Sequence, residues 1–179
     1  MPTVTLVLGG ARSGKSTLAE AMISRALETG CEGAVYIATA EPGDREMRER
    51  IERHKARRDR RWRTVEEPLE LPDAVSRNAI AGTAVLIDCL TLWLSNLMAA
   101  GRDDGEATQA LLAALSPASG PVVLVSNEVG LGIVPENALA RSFRDRAGLL
   151  NQAVAAAADR VVFVVAGLPI TIKDRAWST

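Results

Sequence analysis

The chain has 179 residues, 47% of them apolar and 24% charged, with a formal net charge of −1. That balance predicts one soluble globular domain spanning 1–179 with a real core. The near-zero charge gives no global pull toward nucleic acid or membrane. Two cysteines, Cys31 and Cys89, and one histidine exclude a disulfide scaffold or a histidine-rich metal cluster.

The start, MPTVTLVLGG, lacks the basic stretch and long apolar core of a secretory signal. No run approaches the ~18 apolar residues of a membrane helix, so the cytoplasm is the expected compartment. VTLVL (4–8) reads as a buried strand ending at glycines. KSTLAEAMISRALETG has helical periodicity, with Leu18, Met22 or Ile23 and Leu27 on one face and Gly30 as its C-cap. AVYIAT (34–39) is a second strand, and Asp44 is a candidate N-cap for a helix over about 45–58. AVLIDCL (84–90) is a third strand, TLWLSNLMAA opens a helix, GRDDGEA is a polar break and ATQALLAAL is another helix. VVLVS (122–126) is a fourth strand. LARSFRDRAGLLNQAVAAAADR is a long helix, with Leu139, Phe143, Ala147, Leu150 and Val154 along one side. VVFVVAG (161–167) is a fifth strand and PITIK a candidate sixth. Strands that read as continuous apolar runs between helices predict an α/β fold, with a mostly parallel central sheet and helices on both faces.

GGARSGKS runs through Gly9, Gly10, Ala11, Arg12, Ser13, Gly14, Lys15 and Ser16. It fits G-x-x-x-x-G-K-[ST], with the strand before it and the helix after it that the motif needs. The glycines let backbone N–H groups curl toward phosphates, and the helix N-terminus adds partial positive charge. Lys15 then reaches the β- and γ-phosphates, and the Ser16 hydroxyl is a candidate Mg²⁺ ligand. Asp88, at the carboxyl end of a buried strand, is the matching metal-side carboxylate. These parts read as nucleotide phosphates plus Mg²⁺. They leave adenylate-type kinases, RecA-like ATPases and GTPases open, although the chain has no N-K-x-D guanine motif.

Ten of the 21 Lys and Arg residues fall between Arg45 and Arg63, around the only histidine, His54. The plain reading is a solvated helical face, with arginines interleaved with Glu46, Glu49 and Glu52. The chemical reading is a nucleophile: neutral imidazole attacks phosphorus near pH 7 and forms a labile phosphoramidate. Lys55 and Arg57 beside it suit charge on a transferring group.

Three stretches narrow the choice: LVLGGARSGKSTLAE, ERIERHKARRDRRWRTVEEP, and the long block from VVLVSNEVGLGIVPEN to PITIK. In order and spacing they resemble the bifunctional adenosylcobinamide kinase / adenosylcobinamide-phosphate guanylyltransferases of cobalamin biosynthesis. The likeness runs nearly end to end and is weakest over 68–120, apart from the Asp88 strand. The resemblance implies a RecA-like P-loop NTPase fold and a homo-oligomer, a trimer. It implies phosphorylation of the aminopropanol hydroxyl of adenosylcobinamide by a nucleoside triphosphate (ATP or GTP), with Mg²⁺. GMP is then transferred from GTP to adenosylcobinamide phosphate through a guanylylated histidine. The family's R-I-x-x-H-[KR] stretch is Arg50-Ile51-Glu52-Arg53-His54-Lys55 here, which makes His54 the implied nucleophile. By the same carry-over, Thr39, Ala40, Glu41, Lys55, Ala56, Arg57 and Glu66 lie at the nucleotide, and Asn127 and Glu128 at the acceptor or metal. Asp88 stands where some members carry Glu, and the DRAWST tail has no functional account.

Two other readings share the phosphate loop. A plain small-molecule kinase with another acceptor leaves His54 idle. A nucleic-acid-associated ATPase would use the arginine run to track phosphates. Against the latter stand the charge of −1, the interleaved acids and only 3% aromatic residues for base stacking. No nucleic-acid partner and no membrane span are expected.

Overall fold

The computed structural model describes residues 3–40 and 60–175. The helix expected over 45–58 lies outside them. Among the described residues seven strands form one sheet: β1 (Val4–Gly9), β2 (Gly33–Ala38), β3 (Trp62–Glu66), β4 (Thr83–Asp88), β5 (Val122–Asn127), β6 (Arg160–Val165) and β7 (Leu168–Asp174). Their order is β3-β2-β4-β5-β1-β6-β7. All neighbours pair in parallel except β7, which turns back antiparallel against β6.

The described helices are α1 (Lys15–Glu28), α2 (Leu71–Asn78), α3 (Leu90–Ala99), α4 (Asp104–Leu115) and α5 (Ala138–Ala157). They divide between the two faces of the sheet. Ala19, Ile23, Ala26 and Leu27 of α1 pack with Val7, Ala84, Leu86, Val123 and Val125 on one face. Trp93, Leu94 and Leu97 of α3 join Leu6, Ile37, Val85, Ile87 and Leu124 on the other, together with apolar residues of α2, α4 and α5. The alternation is that of a sheet buried on both sides, since successive strand residues point to opposite faces.

Several local expectations shift in instructive ways. The C-cap of α1 is Thr29, and Gly30 follows it at φ +132° while the Cys31 N–H bonds back to Ala26. Helix α4 begins in the stretch read as a polar break, because the Asp103 carboxylate accepts from the Glu106 N–H and caps it. Leu139 does not join the buried stripe of α5: it is 68% exposed, and burial starts beyond the first turn, at Ala147, Leu150 and Val154, with Phe143 packed partly against the core. PITIK is a strand, the antiparallel edge β7. Strand β3 and helix α2 were not anticipated from the sequence, although Leu71, Ala74 and Val75 of α2 stand at helical spacing. WRTVE is an edge strand with no fully buried residue, and α2 is only 8 residues long, with a proline in its first turn.

The carboxyl end of β5 is tied to α5 through one buried side chain. Ser126 Oγ donates to Asn151 Oδ1 at 2.7 Å, and Asn151 Nδ2 donates to the Asn127 carbonyl at 3.2 Å. Removing Asn151 strands a buried hydroxyl, and such a loss costs roughly 1–3 kcal/mol. Asn151→Ala is therefore expected to lower unfolding stability by about that amount in urea titration. A change under about 0.5 kcal/mol, the range of ordinary surface substitutions, would contradict the tie.

Candidate active site

Parallel strands end together, so the carboxyl ends of β1 to β6 define one edge, the usual ligand edge of such sheets. Register places Gly9 beside Asn127, and Ala38 beside both Asp88 and Glu66. Residues widely separated in the chain thus meet at one rim.

The loop between β1 and α1 is built by backbone geometry. Arg12 at φ +57° and Gly14 at φ +95° turn the chain through the left-handed region. Left-handed residues alternating with right-handed ones aim successive N–H groups into a common concavity suited to anions. Gly14 also sits directly before the N-terminus of α1, which adds its partial positive charge. Lys15 is 8% exposed and its Nζ donates to the Gly10 carbonyl at 2.9 Å, across the loop. Ser13 N–H closes a turn onto Gly10, and the Ser13 carbonyl accepts from Gly167 N–H at 2.9 Å, anchoring the loop to the β6–β7 turn. Ser16 is half-buried in the first turn of α1, while Ala11 and Arg12 are exposed.

Asp88 lies on the same face as α1, since Val125, its register partner, and Leu86 belong to the core cluster under that helix. Its carboxylate Oδ2 accepts from Tyr36 Oη at 3.2 Å. The next residue, Cys89, is buried. Burial pushes its thiol up, and the nearby Asp88 charge pushes in the same direction. The thiol therefore stays protonated at neutral pH and serves packing rather than nucleophilic attack.

Thr39 is fully buried, and all its polar groups are engaged within the protein. Its hydroxyl donates to the Cys89 carbonyl at 2.7 Å and accepts from the Cys89 N–H at 2.8 Å. Its own N–H donates to the Asp88 carbonyl at 3.3 Å, and its carbonyl accepts from Asn96 Nδ2 at 2.7 Å. Thr39 thus frames the rim rather than reaching into it. Ala40 follows it half-buried, and Glu66 is exposed at the end of β3.

Asn127 Nδ2 donates to Thr91 Oγ1 at 2.7 Å. The Glu128 N–H donates to the Gly9 carbonyl at 3.1 Å, which draws the start of this loop against the end of β1. Its carboxylate accepts from Gly130 N–H. Glu41, His54, Lys55, Ala56 and Arg57 lie outside the described residues. Sequence reasoning missed Tyr36, Asn96 and Asn151, each of which braces a rim residue through a partner at least 24 positions away. A tyrosine or asparagine in such a strand or helix carries no local signal of its partner.

The comparisons bear on both fold and family. A family model described as "Cobinamide kinase / cobinamide phosphate guanyltransferase" matches residues 5–172. The bifunctional adenosylcobalamin biosynthesis protein CobP of Pseudomonas aeruginosa is 52% identical over 171 residues, covering 94% of this chain and 96% of that protein. The bifunctional adenosylcobalamin biosynthesis protein CobU of Salmonella typhimurium is 44% identical, covering 94% and 98%. The protein of the same name from Escherichia coli is 42% identical over the same shares. Among solved structures, flagellar accessory protein FlaH of Methanocaldococcus jannaschii superposes with TM-score 0.55 at 10% identity, covering 97% of this chain and 80% of that one. A KaiC-like protein of Pyrococcus horikoshii gives 0.51 at 17% identity, covering 90% and 70%. At these identities the structural likeness speaks to fold alone, which is the RecA-like P-loop NTPase fold.

The loop makes a contrast between its first two glycines. A Cβ on Gly9 would lie 2.6 Å from both Ser13 Oγ and the Val164 carbonyl, whereas one on Gly10 would meet nothing within 4 Å. Gly9→Ala is expected to lower stability by about 1–3 kcal/mol and to weaken nucleotide binding, as overpacking against backbone does. Gly10→Ala is expected to stay within about 0.5 kcal/mol of the parent. Thermal unfolding of the two variants checks this, and equal destabilisation would contradict the packing difference.

Proposed function

This chain belongs to the cobinamide kinase / cobinamide phosphate guanyltransferase family, and from that premise we propose that one phosphate loop serves two successive reactions, with His54 carrying the guanylyl group. The protein is a transferase of cobalamin biosynthesis, acting as cobinamide kinase and cobinamide phosphate guanylyltransferase, and residues 1–179 act as one catalytic domain. In the first step the aminopropanol hydroxyl of adenosylcobinamide attacks the γ-phosphorus of ATP or GTP, loses its proton and releases the nucleoside diphosphate. In the second, a His54 imidazole nitrogen attacks the α-phosphorus of GTP. The bond to the β-phosphate oxygen breaks and pyrophosphate leaves. A phosphate oxygen of adenosylcobinamide phosphate then attacks the same phosphorus, frees the imidazole and yields adenosylcobinamide-GDP.

The observation that carries this reading is a phosphate loop with Lys15 held across it, in a chain whose only histidine falls in the family's R-I-x-x-H-[KR] stretch. Gly9 through Ser16 cradle the phosphates, and Lys15 balances charge that grows on them, the main work of a phosphoryl-transfer site. Mg²⁺ fits: Ser16 and Asp88 offer a hydroxyl and a carboxylate, few hard oxygens, which suits an ion that keeps waters and phosphate oxygens in its shell. Bound there, it neutralises charge on the phosphate oxygens. Lys55 and Arg57 act on the transferring group. Ala40, Glu41, Ala56 and Glu66 line the nucleotide, and Thr39 supports them from below. Asn127 and Glu128 face the acceptor or the metal.

We place the enzyme in the cytoplasm, with its nucleotide substrates, and read it as a homotrimer. Support for self-association comes from the edge strand β7, where Leu168, Ile170 and Ile172 are all exposed, and from Leu131 and Ile133 beyond β5. Long apolar edges of this kind are normally covered.

Labelling separates the two chemistries. With Mg²⁺ and GTP labelled at the α-phosphate, the protein is expected to retain alkali-stable, acid-labile label after denaturation, and His54→Ala to retain none. His54→Ala keeps measurable kinase activity, while Lys15→Ala loses both steps by a factor of about 100 or more, on the scale of a lost transition-state contact. No label from α-labelled GTP, in protein that binds GTP, would favour the plain kinase. Sedimentation equilibrium is expected to give a multiple of the 19.0 kDa chain mass, with Ile170→Glu shifting it toward monomer. A wild-type monomer at micromolar concentration would remove the oligomer.

A further inference from the structure

We propose that Tyr36 is a positioning residue that orients the Asp88 carboxylate for the divalent cation. The inference rests on Asp88 having the metal-side role given above. Tyr36 and Leu86 are register partners on adjacent strands β2 and β4, so their side chains share the face covered by α1. The Tyr36 ring packs against the core cluster there, which includes Leu86 and Val125. From that fixed base its hydroxyl reaches toward the rim and donates to Asp88 Oδ2 at 3.2 Å.

An aspartate at a strand end has two soft torsions, and a half-exposed carboxylate would otherwise sample several rotamers. A hydroxyl bond to a charged acceptor is stronger than a neutral one. It comes here from a ring partly buried against the α1-side core, so less entropy is lost in making it than from a free side chain. Among the described residues, Tyr36 is the one side chain that hydrogen-bonds the Asp88 carboxylate. The bond spans 52 positions in sequence. Partners that orient a metal ligand in this way typically contribute a factor of about 10 to 100 in metal affinity.

The probe is Mn²⁺, counted by the loss of its free electron-paramagnetic-resonance signal. Protein is titrated in the presence of a GTP analogue with a methylene bridge between the α- and β-phosphorus, which blocks guanylyl transfer. Tyr36→Phe removes one oxygen and keeps the packed ring, so its unfolding temperature is expected to match the parent. Its Mn²⁺ dissociation constant is expected to rise roughly 10-fold, with binding of the analogue in EDTA unchanged. Asp88→Asn is the companion variant and is expected to lose at least as much. If Asp88→Asn weakens Mn²⁺ and Tyr36→Phe does not, the positioning role is overturned and the Asp88 reading stands. If neither variant changes Mn²⁺ affinity, the Asp88 reading fails and this proposal fails with it. If Tyr36→Phe weakens the analogue in EDTA by the same factor as it weakens Mn²⁺, the effect is general disorder of the site, and the proposal is overturned.

Discussion

One buried hydroxyl organises the rim to which the proposed chemistry is assigned. Thr39 both donates to and accepts from the backbone of Cys89, and so locks the end of β2 to the residue that follows β4. A buried polar group is tolerated only when its hydrogen bonds are made, and here they are made twice to one residue. Asn96 extends the lock: its Nδ2 donates to the Thr39 carbonyl at 2.7 Å and to the Pro68 carbonyl at 3.1 Å. Trp93, one turn earlier on α3, adds a bond from Nε1 to the Leu69 carbonyl at 2.8 Å. The exits of β2, β3 and β4 are thereby held by a single helix. Asp88, between Thr39 and Tyr36, inherits that rigidity.

The other half of the rim is held from the opposite side of the sheet's centre. Strand β1 lies between β5 and β6, and its last residue, Gly9, accepts from Glu128. The phosphate loop that leaves it is pinned to the β6–β7 turn through Gly167. That bond restrains the loop, and the proposed electrostatic catalysis depends on donors being in place beforehand. Lys15 completes the arrangement from within the loop, its ammonium buried but bonded to a carbonyl, as a buried charge must be.

Much of the fold was legible because the physics behind it is local. Five apolar runs flanked by glycines and helices can hardly be other than strands of a covered parallel sheet, and each proved to be one. The elements that escaped were those whose stability comes from neighbours. β3 is half polar and becomes a strand by pairing with β2. α2 shows helical spacing over only 8 residues and survives by packing Leu71, Ala74 and Val75 into the core. Leu139 fitted a helical stripe by spacing, yet periodicity does not say where along a helix the covering layer begins.

By itself the sequence determined what is encoded in consecutive residues. GGARSGKS between a strand and a helix specifies a phosphate loop, because its glycines, lysine and hydroxyl act within one turn of chain. The order and spacing of three sequence blocks pointed to the family for the same reason, and that resemblance singled out His54. Only the tertiary structure decided which distant side chains meet at the rim: Tyr36 with Asp88, Thr39 with Cys89, Asn151 with Ser126 and Asn127. Each of these bonds joins different elements of the fold, and a hydrogen bond between them exists only once strand order and register have set the distance.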